Sequence, residues 1–270
     1  MKSILLHVFG DDSVLGRADA AITLAQSFGA RVTCLQVEPF PTLVGGDPYG
    51  GTYVFEPMIE TIRERQSALR RDIEHRLGTG GVDWEWHAID GDTVRTLVSR
   101  SALTDVIVMS QGEPGRSDGR KPLNLAAQVA VGATPPVLAL PARAATFALP
   151  KKVLIAWNGS AEAANALRAS RPFLARAEGV EIVEIKRGVI DPPGEQAAAY
   201  LDLHGIKARV HRIEEDGRMV IDLLTARAAT LGADLLVMGA YGHPRMVELV
   251  FGGVTEGMMT RSTVPLLLAH

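Results

Sequence analysis

The sequence is poor in cysteine, in aromatic residues and in net charge. Its 270 residues include a single cysteine, aromatic residues make up 5%, and the formal net charge is −3. Cys34 alone can form neither an internal disulfide nor a thiolate metal cluster, so we expect a buried, small apolar residue in a strand. The near-neutral charge provides no basic stripe for phosphate contacts, which argues against nucleic acid as a partner.

The sequence also shows no long apolar run and, at its start, no pattern from which we would expect a signal peptide. The chain has no run of about 18 apolar residues, the length that a membrane-spanning helix requires. The first six residues, Met-Lys-Ser-Ile-Leu-Leu, lead directly into a strand-like segment without signal-peptide anatomy. These features predict a cytoplasmic protein with no membrane partner. Apolar residues make up 47% of the chain, enough for one large or two ordinary globular domains.

The motifs of common catalytic and metal sites do not occur. The seven histidines show no metal-binding spacing, and there is no Gly-x-Ser-x-Gly nucleophile elbow. A Walker loop and the Gly-x-Gly-x-x-Gly of dinucleotide folds are also missing. The sequence therefore predicts no tightly bound metal and marks no nucleophile or general base.

An internal repeat divides the chain into two halves. Three pairs of segments match in the same order: Asp105–Ser110 with Asp234–Gly239, Thr134–Pro141 with Thr263–His270, and Ile4–Gly10 with Val153–Gly159. Such self-similarity indicates two homologous halves, which we assign to domains at residues 1–143 and 150–270. The offset changes from 129 residues (234 − 105) to 149 (153 − 4). About 20 extra residues therefore fall in the first half, in the Pro/Gly-rich stretch 38–51.

Each half alternates strand-like and helix-like segments. In the first half the patterns predict strands at 3–9, 31–37, 82–89, 105–109 and 137–140 and helices at 13–28, 56–77, 93–102 and 123–132. In the second half they predict strands at 152–157, 180–185, 207–213, 234–238 and 265–268 and helices at 160–176, 194–203, 218–231 and 253–262. This alternation predicts an α/β fold with a doubly wound parallel sheet in each half. Ligands of such sheets bind at the carboxyl ends of the strands, where the strand order reverses.

A glycine-rich segment follows the predicted strand at 234–238. Gly239 and Gly242 come directly after that strand, and Gly252 and Gly253 precede a predicted helix that opens with Val254 and Thr255. Glycines allow close backbone approach, and a helix N-terminus offers unpaired N–H groups to a phosphate. A tight turn is the alternative interpretation of the same pattern.

The spacing Gly239-x2-Gly242-x9-Gly252 resembles the nucleotide loop of the universal stress protein family, and the order of elements resembles its tandem members over nearly the whole chain. The resemblance implies a Rossmann-like five-stranded parallel sheet in each half. It also implies an intramolecular pseudo-dimer joined through the last strands. Many family members bind ATP or AMP, with Mg²⁺ as a companion of the phosphates, and others bind no nucleotide. Gly253 departs from the family, whose ATP-binding members have a hydroxyl residue there, whereas Thr255 keeps the second hydroxyl.

The same resemblance implies the residues of the site. Asn158-Gly-Ser160 would meet the adenine or ribose, and the glycine-rich segment would hold the phosphates. The expected binding residues are Ala156, Asn158, Gly159, Ser160, Ile185, Met238, Gly239, Gly242, His243, Arg245, Gly252, Gly253, Val254 and Thr255. Alternatives exist for several of them: a plain strand-to-helix turn with Ser160 as N-cap, core positions for the three apolar residues on strands, and solvated side chains for His243 and Arg245.

The first half departs from the nucleotide-binding pattern. Phe9 stands in the place of Asn158, and Ser110-Gln-Gly112 replaces the first glycine pair. Leu123 carries a side chain where open backbone would be needed. We therefore expect no ATP in the first half. The function predicted for the chain is a stress-response sensor or regulator that binds an adenine nucleotide in the second half and pairs as a homodimer. The rival is a nucleotide-independent scaffold that recruits partners or another small ligand, and an ATPase or nucleotidyl-transfer enzyme is a third alternative.

Overall fold

The computed structural model describes residues 1–38, 45–46, 52–53, 56–112, 124–142, 147–186, 188–240 and 253–270. For 45–46, 52–53 and 56–63 it describes the backbone alone. Most of the predicted extra loop at 38–51 lies outside the described residues, as does Leu123. Within the described ranges, no helix is both long enough and apolar enough to cross a membrane.

The elements follow the predicted alternation. The first half contains β1 (Ser3–Val8), α1 (Val14–Phe28), β2 (Arg31–Glu38), β3 (Gly45–Gly46), β4 (Thr52–Tyr53), α2 (Glu56–Thr79), β5 (Trp84–Asp90), α3 (Thr93–Arg100), β6 (Val106–Ser110), α4 (Leu125–Gly132) and β7 (Val137–Leu140). The second contains β8 (Lys152–Trp157), α5 (Ala161–Leu174), β9 (Gly179–Lys186), α6 (Gly194–Leu203), β10 (Ala208–Glu214), α7 (Val220–Leu231), β11 (Leu235–Gly239), α8 (Val254–Arg261) and β12 (Leu266–Ala269). The predicted strands and helices are confirmed, with ends within two residues, and among the elements of the described residues the short β3–β4 pair was not predicted.

Ten of the strands form one sheet that crosses both halves. Its order is β10-β9-β8-β11-β12-β7-β6-β1-β2-β5. The strands are parallel within each half, and β7 pairs antiparallel with β12 at the centre, with Leu138 opposite Leu267. Each half therefore repeats the same strand order outward from this seam. This confirms the predicted pseudo-dimer through the last strands. The limits 1–143 and 150–270 stay a prediction, because the sheet continues across them.

The core lies in two layers, one on each face of the sheet. Helices α1, α2, α5 and α6 cover one face, and α3, α4, α7 and α8 cover the other. Both apolar layers run through both halves, as is usual for a parallel sheet covered on both faces. Cys34 is fully buried on β2, and burial raises the pKa of its thiol to about 12. The expectation of a buried apolar cysteine is thus confirmed.

His7 is a buried polar residue near the end of β1, and it gives the fold a dependence on pH. It is 3% exposed, and burial, assisted by the charge of Arg17, lowers its pKa from 6.5 to about 3. The folded chain therefore keeps a neutral imidazole over a range in which the unfolded chain binds a proton. Its contribution to stability is complete above pH 6.5 and is lost progressively as the pH falls towards 3.

We expect the stability difference between the wild type and His7→Leu to shift by about 2 kcal/mol between pH 7 and pH 5, against the wild type. Denaturant unfolding at both pH values measures it. The matched control is His75→Leu, because His75 is exposed, and its difference from the wild type should not change over this range. Equal pH dependence in the two variants would show that His7 titrates normally in the folded chain.

Candidate functional site

A cavity of about 400 Å³ opens at the carboxyl ends of β8, β9 and β11. This is the point at which the strand order of the second half reverses, because β8 lies between β9 and β11. The cavity is lined by Ala156, Trp157, Asn158, Ser160, Glu162, Ala163, Val183, Ile185, Gly188, Val189, Ile190, Val220, Leu224, Met238, Gly239, Val254 and Thr255. Its volume and mostly apolar wall are those of a small-molecule site.

The structure brings together eight of the fourteen predicted binding residues around this cavity. They are Ala156, Asn158, Ser160, Ile185, Met238, Gly239, Val254 and Thr255. Gly159 and Gly253 are their neighbours in the chain but do not line it. Gly242, His243, Arg245 and Gly252 lie outside the described residues.

The segment Asn158-Gly-Ser160 forms a tight turn from β8 into α5. Asn158 Oδ1 accepts a hydrogen bond from the Ser160 amide at 3.1 Å, and Ser160 Oγ accepts one from the Ala163 amide at 3.2 Å. Ser160 is thus the N-cap of α5. Gly159 has φ +77°, and a Cβ there would lie 2.6 Å from the carbonyl oxygen of Asp191. The turn alternative is therefore realised, while the exposed Asn158 side chain still lines the cavity.

Gly239 has a packing role at the end of β11. A Cβ on this residue would lie 2.7 Å from the Ala163 amide nitrogen and 2.7 Å from the carbonyl carbon of Glu162. The strand end therefore touches the backbone of the first turn of α5. Both Glu162 and Ala163 also line the cavity, so this contact places one of its walls.

Helix α8 begins at the cavity. Its N-cap is Gly253, which makes no side-chain capping hydrogen bond, and Val254 and Thr255 of its first turn line the cavity. The first amides of a helix have no partner within the helix, and the helix dipole puts partial positive charge there. Such a terminus favours an anionic group. Thr255 is 2% exposed, so it is a buried part of the cavity wall and does not lie on the outer surface.

Several lining residues were not predicted from the sequence. Val183 could have been found, because it lies two residues before Ile185 on β9 and so points to the same face. Residues 188–190 also line the cavity, and no pattern in the sequence indicates that they do. Long-range contacts hold the chain around it: Trp157 Nε1 donates to the Pro192 carbonyl at 2.8 Å, and the buried carboxylate of Glu184 accepts from the Gly194 amide.

Contacts from β10 also hold Glu184, which precedes the segment 188–190. Arg212 Nε donates to Glu184 Oε2 at 2.8 Å, and a further nitrogen of Arg212 pairs with Glu195 in the first turn of α6. Glu184 is 2% exposed, so its charge is kept out of water by this pairing. Within the described residues, no group of three or more His, Cys, Asp or Glu side chains is placed to hold a metal ion.

Comparison with known proteins bears on the fold of the chain and on the family of its C-terminal part. Residues 184–270 match the model of the universal stress protein family. A universal stress protein from Archaeoglobus fulgidus has a similar structure, with a TM-score of 0.79 and 17% identity over 99% of this chain and 95% of that chain. A protein from Pseudomonas aeruginosa assigned to the same family has a TM-score of 0.61 and 14% identity over 99% of this chain and 92% of that chain.

A functionally unknown protein from the same bacterium has a TM-score of 0.60 and 14% identity, again over 99% of this chain and 92% of that chain. No curated protein matches the chain at a significant level. Structural likeness at these identities shows the fold, and the family model adds the assignment of the C-terminal part. Residues 184–270 therefore match the universal stress protein family in sequence, and the two halves of the chain repeat one fold in tandem.

Proposed function

We propose that the second half binds an adenine nucleotide, ATP or AMP, in the cavity, and that the protein serves as a sensor or regulator in a stress response without dedicated catalysis. The observation that supports this most is the meeting of the strand-end residues with the N-terminus of α8 at one cavity. A cytoplasmic location and pairing of two chains into a homodimer are part of the same proposal, on the family resemblance alone.

The wall of the cavity suits the two ends of a nucleotide differently. Ile185, Met238 and Val254 offer apolar surface to a base, and the Asn158 amide nitrogen can donate to a ring nitrogen. The N-terminus of α8 suits a phosphate, and Mg²⁺ would accompany that phosphate as a companion of the ligand. The missing hydroxyl at Gly253 weakens such a site by about 1.5–3 kcal/mol, or roughly 10- to 150-fold in affinity. A micromolar site would thus become weaker without being lost.

A nucleotide-independent scaffold is the second candidate. It is favoured by the turn at Asn158 and Ser160, whose side-chain oxygens already serve the local backbone. In that case the cavity would hold another small ligand or none, and the surface would recruit partners. The two candidates differ in whether nucleotide is bound at all.

Nucleotide binding is tested first on the purified protein. Denaturation followed by mass spectrometry detects any carried nucleotide, and calorimetric titration of the emptied protein with ATP, ADP and AMP measures affinity. We expect one site per chain. Ala156→Leu should weaken binding by about 10- to 100-fold, because the partly buried Ala156 lines the cavity and a larger side chain would fill ligand volume.

The matched control is Ala229→Leu, the same change at an exposed position of α7. It should bind like the wild type. Absence of carried nucleotide, together with no heat at millimolar ATP or AMP, would reject nucleotide binding and leave the scaffold. Equal binding by both variants would place the ligand elsewhere on the chain.

A further inference from the structure

The strand register superposes the two halves residue by residue. Leu6 on β1 pairs with Val108 on β6, and Ile155 on β8 pairs with Val237 on β11. On this register the first-half counterparts of the cavity floor are His7 for Ala156, Leu35 for Val183, Val37 for Ile185 and Met109 for Met238. Three of the four positions keep an apolar side chain, and the fourth changes from a methyl group to an imidazole.

The burial of these positions differs between the halves. Ala156 and Ile185 are partly exposed in the cavity of the second half. Their counterparts His7 and Val37 are 3% and 2% exposed. The first-half floor is therefore covered where the second-half floor is open.

The His7 imidazole is an unusual group to bury at this place. Its Nε2 is buried and has no hydrogen-bond partner in the described part of the chain. Its ring lies nearly parallel to that of Phe9, with centroids 6.2 Å apart and an interplanar angle of 11°. Phe9 occupies the place that Asn158 has in the second half. An unpaired buried nitrogen costs stability, so the position is not explained by core packing alone.

We propose that the His7 side chain plugs the first-half counterpart of the cavity, with Phe9 stacked beside it. Of these two corresponding positions in the described residues, the one in the second half then accepts a ligand and the one in the first half does not. His7 occupies the position that corresponds to Ala156, whose small side chain leaves space for a ligand in the second half. Removal of the plug should open a small apolar cavity in the first half, suited to a neutral planar heteroaromatic molecule of the size of the lost side chain.

The test uses His7→Ala in the full chain, with 4-methylimidazole as the probe at pH 8, where the probe is mostly neutral. We expect the melting temperature of the variant to rise with the logarithm of probe concentration above the dissociation constant, by roughly 3–6 °C at ten times that constant. The wild type and the matched variant His75→Ala, changed at an exposed position, should show no such rise. If His7→Ala does not fold, His7→Ser takes its place.

A folded His7 variant whose melting temperature responds to 4-methylimidazole no more than the wild type does would overturn the proposal. The reciprocal change, Ala156→His, gives an independent measurement: it should weaken nucleotide binding in the second half at least 100-fold with the fold retained. Binding within threefold of the wild type would also count against a plug. This second arm rests on the proposed function, whereas the probe experiment does not. A wild type that binds no nucleotide thus rejects the proposed function and leaves the first arm valid.

Discussion

Replacing Arg17 by alanine is expected to destabilise the folded chain by about 3–5 kcal/mol, the usual cost of breaking a buried ion pair. The Arg17 side chain is 1% exposed. Its Nη1 donates to the Asp11 carboxylate at 2.9 Å and to Ser110 Oγ at 2.6 Å. Its Nε donates to the His7 carbonyl at 3.1 Å, and its Nη2 to the Phe9 carbonyl at 2.9 Å. One guanidinium therefore joins α1 to the ends of β1 and β6.

Some features of the Arg17 environment increase the expected loss of stability, and others reduce it. Arg17→Ala leaves the backbone carbonyls of His7 and Phe9 without their hydrogen-bond donor. It also removes a large buried side chain. A neighbouring cavity of about 210 Å³, lined in part by Arg17, Ser13 and Ser110, allows water to reach some of these groups. Asp11 is partly exposed and can also be solvated. These two features favour the lower end of the range.

Urea unfolding at pH 7 measures the effect. Arg17→Lys keeps the charge but loses the planar fork of donors, so its loss should be intermediate. The matched control Arg71→Ala removes an exposed arginine from α2 and should change stability by less than about 0.5 kcal/mol. If Arg17→Ala and Arg71→Ala were equally stable, the buried network would contribute nothing to folding.

The fold could be predicted because its signals are local or repeated. The strand Leu235–Gly239 is a short apolar run that ends in glycine, and the repeat places its counterpart at Val106–Ser110. The antiparallel seam between β7 and β12 came from family resemblance and not from any residue pattern. Arg17 was not singled out, because an arginine among the small residues of an amphipathic helix is ordinarily a solvated residue. One of its hydrogen-bond partners, Ser110, lies 93 residues away in the chain, where no local pattern reveals it.

The candidate site also contains residues that could be predicted from the sequence and residues that could not. Asn158, Ile185 and Met238 were expected from the family resemblance, and their positions agree with the rule that ligands bind at the carboxyl ends of parallel strands. The wall at 188–190 does not follow, because Glu184 and Trp157 hold the neighbouring residues by contacts that no local pattern encodes. The sequence allowed Ser160 to be either a helix N-cap or a ligand-binding residue, and in the structure it caps α5.

Gly239→Val is expected to destabilise the chain by about 3 kcal/mol and to weaken nucleotide binding more than 100-fold. The reason is the contact with α5: the new Cβ would meet backbone atoms of Glu162 and Ala163 at 2.7 Å. β11 cannot move away, because it is paired with β8 on one side and β12 on the other. The first turn of α5 must therefore shift, and such overpacking typically costs 1–3 kcal/mol.

We expect the shift of α5 to change the shape of the cavity, because Glu162 and Ala163 belong to its wall. Gly179→Val is the matched control: it also places a valine on a strand, but nothing lies within 4 Å of the added Cβ. Denaturant unfolding and calorimetric titration of both variants separate the two effects. Loss of binding with unchanged stability would mean that the valine occupies ligand volume without moving α5. Loss of stability with unchanged binding would mean that the wall formed by α5 does not touch the nucleotide, and that the N-terminus of α8 and the strand ends hold it alone.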